Sequence, residues 1–379
     1  EFKKSAQKEV NYLVKEFECK KAADSYARAQ TSRTGVLDCT KLHTYKYNED
    51  LFRKVTTYAD GKNHGLIFVL DWSGSMQYVL EDTCKQLFNL IWFCKKVNIP
   101  FDVYAFTNEY TKVASDWQPD ELYKKKVGLF AVDNDFSMMN LLSSKTSAPV
   151  LEKQMMTVWR MAVAFGNAYR TQYTWSPRMC LSGTPLNESL VALHGIIPKF
   201  QRENKLQKVQ CIVLTDGEAN QLNHHAEIQR HWECDPRIVS KRYCGETFLR
   251  DRKTGHTYNM GYYWHHFTDK MLQNLRDNFP YVNFIGIRLL APRDAKSFMN
   301  RYGEDDTVAK SWKKDKTFVI KTSGYDAYFG MSANALSQDS EFEVEEGATK
   351  AKIKSAFAKS LKTKKLNKKV LGEFISLVV

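Results

Sequence analysis

Leu66-Ile67-Phe68-Val69-Leu70-Asp71-Trp72-Ser73-Gly74-Ser75 opens with five consecutive apolar residues and closes on an acid, two hydroxyls and a glycine. Apolar residues at every position, without alternation, are the mark of a strand buried on both faces, as in the interior of a parallel sheet. The turn residues Asp60-Gly61-Lys62-Asn63 precede it. After it, Leu80, Thr83, Leu87, Leu90 and Ile91 recur at helical spacing within Gln77 to Lys96, Pro100 ends the connection, and Phe101 to Phe106 reads as a second strand. A strand, a helix and a strand in that order predict a parallel pair joined by a right-handed crossover.

The same alternation continues. Helices are expected from Pro149 to Tyr169, from Thr184-Pro185 to about Gln201, where threonine caps and proline occupies the first turn, and from Thr268 to Asn278. Strands are expected at Val209 to Leu214 and Val282 to Leu289. The pattern predicts an α/β fold: a doubly wound, mostly parallel, Rossmann-like sheet with helices on both faces.

Upstream, Val10, Leu13, Val14, Phe17 and Ala22 share one side of a helix expected over Ser5 to Ala29, with Gly35 as its stop and Val36 to Tyr47 an extended connector. Residues 107–148 are less regular, with an edge strand at Val127 to Val132 and a loop or short helix at Ser137 to Ser144. Residues 223–265 are too long for an ordinary connection and carry a hairpin signal at Arg252-Lys253-Thr254-Gly255. Beyond a helix at Arg293 to Tyr302 and a strand at Phe318 to Ile320 come an acidic stretch, Glu341 to Glu346, and a lysine-rich helix closing on Val379. The chain thus divides into a helical lead-in (1–62), one large domain (63–335) with insertions at about 107–148 and 223–265, and a helical tail (336–379).

At 379 residues, 43% hydrophobic and 26% charged, the composition is that of a folded protein. No run approaches the roughly 18 apolar residues of a membrane span. Glu1-Phe2-Lys3-Lys4 offers neither a signal core nor an initiator methionine, so the chain reads as cytoplasmic, off the membrane, with its true start upstream. The eight scattered cysteines suit reduced thiols better than a disulfide framework. Nine of the thirteen excess positive charges lie between Thr349 and Val370, where there is no acid. The basic character therefore belongs to a tail: a solvated helix face, or a docking site for an acidic partner or nucleic acid.

The chemistry gathers at strand ends. Asp71, Ser73 and Ser75 end the first buried strand, Asp216 ends the strand of Leu214-Thr215-Asp216, and Thr184 opens a helix between them in sequence. In a tight turn, residues i, i+2 and i+4 can point one carboxylate and two hydroxyls into one pocket. A polar turn capping a helix would also use Asp71, Ser73 and Ser75, but would leave Thr184 and Asp216 as coincidences. Two carboxylates and three hydroxyls are all hard oxygen donors, which suit Mg2+, Mn2+ or Ca2+ and disfavour zinc. Five donors leave an octahedral cation a position for an incoming carboxylate.

Asp71-x-Ser73-x-Ser75, Thr184 and Asp216, in this order and at these strand ends, resemble the metal-ion-dependent adhesion site (MIDAS) of von Willebrand factor A (VWA) domains, over about residues 63 to 290. Upstream, Thr34-Gly35-Val36-Leu37-Asp38, Lys41-Leu42 and Tyr45-Lys46 resemble the lead-in of the cobaltochelatase T-subunit type and its bacteriophage-encoded relatives. The first likeness implies a non-catalytic subunit whose cation clamps an Asp or Glu of a protein partner. The second implies a MoxR-type AAA+ ATPase as a partner, and the host cytoplasm as location if the chain is phage-encoded. Two alternatives stand beside this adaptor: a non-catalytic subunit of a metal-chelatase-like complex, and a nucleic-acid-binding module working through the lysine tail.

His224, His225, His231, His256, His265 and His266, beside Cys234 and Cys244, raise a structural zinc site, but without the paired short spacings such sites use. Tyr258, Tyr262, Tyr263, Trp264 and Phe267 are expected to pack the insertion against the domain, with base stacking as the other use. Glu218 is an exposed loop acid or an outer contact of the site. No phosphate-binding loop, nucleophile elbow or His-Glu-x-x-His helix is present.

Overall fold

The computed structural model describes residues 7 to 332, apart from 8–9, 12, 22–29, 38, 40, 45, 47–51, 58–62, 109–124, 133–135, 167–178, 217–218, 221, 233, 244–246, 261–263, 291–293, 303–305, 316 and 321–322. In chain order the strands are β1 (Gln30–Leu37), β2 (Phe52–Thr57), β3 (His64–Asp71), β4 (Phe101–Asn108), β5 (Phe130–Ala131), β6 (Phe136–Ser143), β7 (Lys208–Thr215), β8 (Asn223–Ile228), β9 (Arg237–Lys241), β10 (Phe248–Arg250), β11 (Thr257–Asn259), β12 (Val282–Leu290), β13 (Thr317–Ile320) and β14 (Ala327–Ser332). The helices are α1, helical over 13–21, then α2 (Leu80–Lys96), α3 (Ala148–Gly166), α4 (Leu186–Asn204), α5 (Trp264–Asn278), α6 (Ala295–Arg301) and α7 (Asp306–Asp315).

Seven strands form the central sheet in the order β13-β14-β12-β7-β3-β4-β6. The five inner strands run parallel, and β13 and β6 close the two edges antiparallel. The unbroken apolar run of β3 serves both faces. Leu66, Phe68 and Leu70 join the core beneath α2 and α3, whereas Ile67 and Val69 join the core beneath α4 and α5. Helices therefore cover both faces, and the chain is a doubly wound α/β protein. Val10, Leu13 and Phe17 of the N-terminal segment enter the first core, where the Phe17 ring meets Phe93 edge-on at 5.5 Å.

Elements outside these regular patterns differ from the sequence expectation. Ser137 to Ser144, expected as a loop or short helix, is strand β6, which pairs with β4 from Asn108↔Phe136 to Asp102↔Ser143. Met138-Met139 and Leu141-Leu142 have a helix's spacing and not a strand's period of two, so pairing with the partner strand overrides the local pattern here. Gly35, expected to end a helix ahead of an extended connector, lies inside β1, which forms an antiparallel hairpin with β2. Helix α7 and strand β14 were not anticipated. The latter reads Ala-Tyr-Phe-Gly-Met-Ser and sits inside the sheet against β12. Its Gly330 leaves room for the Phe318 ring, whose Cζ would lie 2.3 Å from an added Cβ.

The 223–265 segment is built from strands. β8 and β9 form a hairpin that β5 extends to three strands, and β10 and β11 form a second hairpin around Arg252 to Gly255, as the sequence indicated. Asp251 fastens this second hairpin to α5. It accepts the backbone N–H groups of Lys253 and Thr254 (2.7 and 3.2 Å) and the side-chain amides of Asn274 and Asn278 (2.7 and 2.5 Å). Burial raises its carboxyl, but these four donors outweigh it and hold the group well below the usual carboxylate range. The acidic and lysine-rich stretches of 336–379 lie outside the described residues.

Asp251→Ala removes the acceptor of all four bonds and leaves the Asn278 amide only its bond to the Asn274 carbonyl. It is expected to cost about 2 kcal/mol, read as a lower urea midpoint with an unchanged denaturant slope.

Candidate metal centre

From β3 the chain runs through α2 to β4 on one side of the sheet, and from β7 it moves on to β12 on the other. The winding therefore reverses between β3 and β7, and doubly wound sheets bind ligands beyond the carboxyl ends of the strands at such a point. Asp71 is the last residue of β3, and Asp216 immediately follows β7. The register that pairs Leu70 with Leu214 sets the two strand ends level.

Asp71 is fully buried. Its Oδ2 accepts the Thr215 hydroxyl at 2.6 Å, while its Oδ1 is shielded from solvent and has no hydrogen-bond partner. Burial pushes the Asp71 carboxyl up to about 7, opposed by the Thr215 hydrogen bond and by the adjacent Ser73 hydroxyl and backbone N–H, and reinforced by the charge of Asp216. Asp216 is also raised, first by burial, against the Ser75 hydrogen bond and the more distant Arg288 guanidinium. The Ser75 hydroxyl donates to Asp216 Oδ1 at 2.8 Å and lies 3.1 Å from the Ser73 hydroxyl. Four of the five expected ligands, Asp71, Ser73, Ser75 and Asp216, thus form one cluster.

Thr184 reaches the rim by another route. Ser182 bridges to Ser73 as a short parallel pair, and the Gly74 N–H donates to the Ser182 carbonyl at 2.7 Å. The Trp72 indole N–H donates to the Met179 carbonyl at 2.8 Å, and the Thr107 hydroxyl to the Cys180 carbonyl at 3.3 Å. These bonds stitch residues 179–182 onto the ends of β3 and β4. Gly183 permits a close approach there, since an added Cβ would lie 2.3 Å from Asn108 Oδ1. Two residues past Ser182, the Thr184 carbonyl accepts the N–H groups of Leu186 (2.9 Å) and Asn220 (3.1 Å), tying the start of α4 to the loop after β7. Its hydroxyl is not in the hydrogen-bonded chain that links Ser73, Ser75 and Asp216.

The donor set fits a hard divalent cation on one decisive observation. A buried carboxylate oxygen without a partner is costly, and here it stands beside a second carboxylate and two hydroxyls. Asp71, Ser73, Ser75 and Asp216 would hold Mg2+, Mn2+ or Ca2+, with Thr184 the fifth candidate. Among the described residues, no group of three or more His, Cys, Asp and Glu side chains is placed to hold a metal. In the insertion, His224 stacks on Tyr243 at 4.8 Å, His231 meets Trp232 at 4.5 Å, and His256 lies 3.9 Å from Asp277. Tyr258 and Phe267 are buried in the core. Glu218, Cys244, Tyr262 and Tyr263 lie outside the described residues, as do the side chains of Trp264 and His265.

Two contributors were not anticipated. Thr215 orients Asp71, and its signal was a hydroxyl residue ending an apolar strand. Arg288, in register with Thr215 on β12, acts on Asp216 while its guanidinium sits 4.7 Å from the Phe298 ring centre. Its signal was a lone charge within Val282 to Leu290.

No family model matches this chain. No curated protein matches it either. Among solved structures it is similar, at 14% identity, to the pilus adhesin SpaC from Lactobacillus rhamnosus GG in its open conformation, over 84% of this chain and 31% of the adhesin, with a TM-score of 0.36. So slight a likeness carries no inference about function.

Thr215→Val leaves Asp71 without its orienting donor and is expected to weaken Mn2+ binding about tenfold, measured by calorimetry. The pH dependence follows from the raised Asp71 group. Its contribution to stability is complete below its ordinary value of 3.8 and is lost as the pH rises through about 7. In EDTA the melting temperature should therefore fall between about pH 5 and about pH 8, and Mg2+ should restore more of it at the higher pH, where no proton competes.

Proposed function

We propose that this chain is a cation-dependent protein-binding adaptor of the VWA type, and that it has no catalytic role of its own. The supporting observation is the unpartnered, buried Oδ1 of Asp71, a carboxylate whose other oxygen is held by Thr215, in a cluster with Ser73, Ser75 and Asp216. When bound, a hard divalent cation supplies concentrated positive charge and an open coordination position that a carboxylate can fill. The protein's own part is orientation. Thr215 fixes Asp71, Ser75 fixes Asp216, and the bonds from Trp72 and Gly74 to residues 179–182 hold the rim so that the donors need not rearrange on binding. Preorganised donors lose little entropy on binding.

The partner on this reading offers an Asp or Glu side chain, and a MoxR-type AAA+ ATPase is the proposed companion in the assembly. The cytoplasm is the proposed location, a compartment in which free thiols such as the buried Cys84, Cys94 and Cys211 persist. No helix among the described residues is long and apolar enough to cross a membrane.

Immobilised protein is expected to retain its partner in Mg2+ and to lose at least about tenfold of that binding in EDTA and in Asp71→Ala. Tight retention under both conditions would overturn the proposal.

A further inference from the structure

Ser75 and Tyr78 share the single 3-10 turn Gly74–Tyr78 that follows β3. The bonds Met76 N–H to Ser73 O (3.2 Å) and Val79 N–H to Met76 O (2.9 Å) hold the three-residue spacing. With three residues per turn and a rise of about 2.0 Å each, side chains three apart eclipse at a separation of about 6 Å. Tyr78 therefore leaves the turn on the same edge as Ser75, whose hydroxyl bonds Asp216. Met76 points inward and is fully buried, whereas Tyr78 is 84% exposed. A lone exposed ring needs no explanation in general. A ring that the backbone sets one turn from a candidate cation ligand, on the ligand's own edge, is placed to touch whatever the cation binds.

We propose that Tyr78 is the second contact of the partner: an extended acidic segment sets an Asp or Glu carboxylate at the Asp71, Ser73, Ser75 and Asp216 centre and an apolar side chain, two residues away, on the Tyr78 ring. The inference rests on the cation-clamp reading above. An extended chain advances about 3.3 Å per residue, so side chains two apart lie on one side at about 6.6 Å, close to the span from Ser75 to Tyr78. A helical segment would match that span only at three or four residues. The side chain on the ring is apolar, because Asp71, Asp216 and the incoming carboxylate already balance the cation and what the exposed ring offers a neighbour is a flat face to cover. Tyrosine suits the contact, offering a large rigid surface for little lost conformational freedom.

A phage-displayed library of short linear peptides, selected on the full chain in Mg2+, tests this. Selected peptides should carry Asp or Glu with an aliphatic or aromatic residue two positions away, and EDTA should elute them. The tightest should bind Tyr78→Ala about tenfold more weakly, with Tyr78→Phe near the parent and Mn2+ affinity unchanged in both variants. Acidic, EDTA-sensitive peptides that lack the apolar preference, carry it at three or four residues, or bind Tyr78→Ala as well as the parent would overturn this inference and leave the cation clamp standing. Peptides that need neither acid nor metal would overturn both.

Discussion

The hydrogen bond from Thr215 to Asp71 joins two neighbouring strand ends across the point where the winding of the sheet reverses. Asp71 is wholly removed from water, and a carboxylate in that position must be held by donors, neutralised by a proton or matched by a cation. Thr215 satisfies one oxygen and leaves the other open toward Ser73, Ser75 and Asp216. Most of the rim architecture serves to keep that arrangement from collapsing. The 3-10 turn after β3, the stitched segment 179–182 and the Thr184 carbonyl each tie a different loop to the same edge.

The rest of the fold holds that edge in place. β3, β7 and β12 are buried on both faces, so their ends are fixed by two cores at once rather than by the loops that follow them. A carboxylate with a strongly raised proton affinity can stand there because the strand beneath it cannot shift to expose it. The same rigidity explains why Arg288 matters. It projects from an interior strand, braced against the Phe298 ring, and supplies fixed positive charge to the Asp216 side of the cluster.

The segment between β7 and β12 adds structure without entering the sheet. One of its hairpins is fastened to α5 through Asp251, and the other is extended by β5. His224 and His231 make separate ring contacts, and the buried Tyr258 and Phe267 pack into the core. That division leaves the oxygen cluster at the switch point as the candidate site that the described structure supports.

Much was legible in the chain itself. Leu66 to Leu70 read as an interior strand because the run is short, carries Ile, Phe and Val, and is bounded by turn residues before it and by Gly74 after it. Asp71, Ser73, Ser75 and Asp216 stood out because polar residues ending such strands have little else to do. Composition and spacing could not reach further. β6 and β14 lack a strand's period of two and exist because β4 and β12 offer unpaired backbone groups to complete. Only the register of β7 against β3 and β12 brought Thr215 to Asp71 and Arg288 toward Asp216, and only the tight turn after β3 set Tyr78 beside Ser75. Local periodicity reports what one segment buries; which segments meet is settled by the whole sheet, where each strand's position depends on partners far away in sequence.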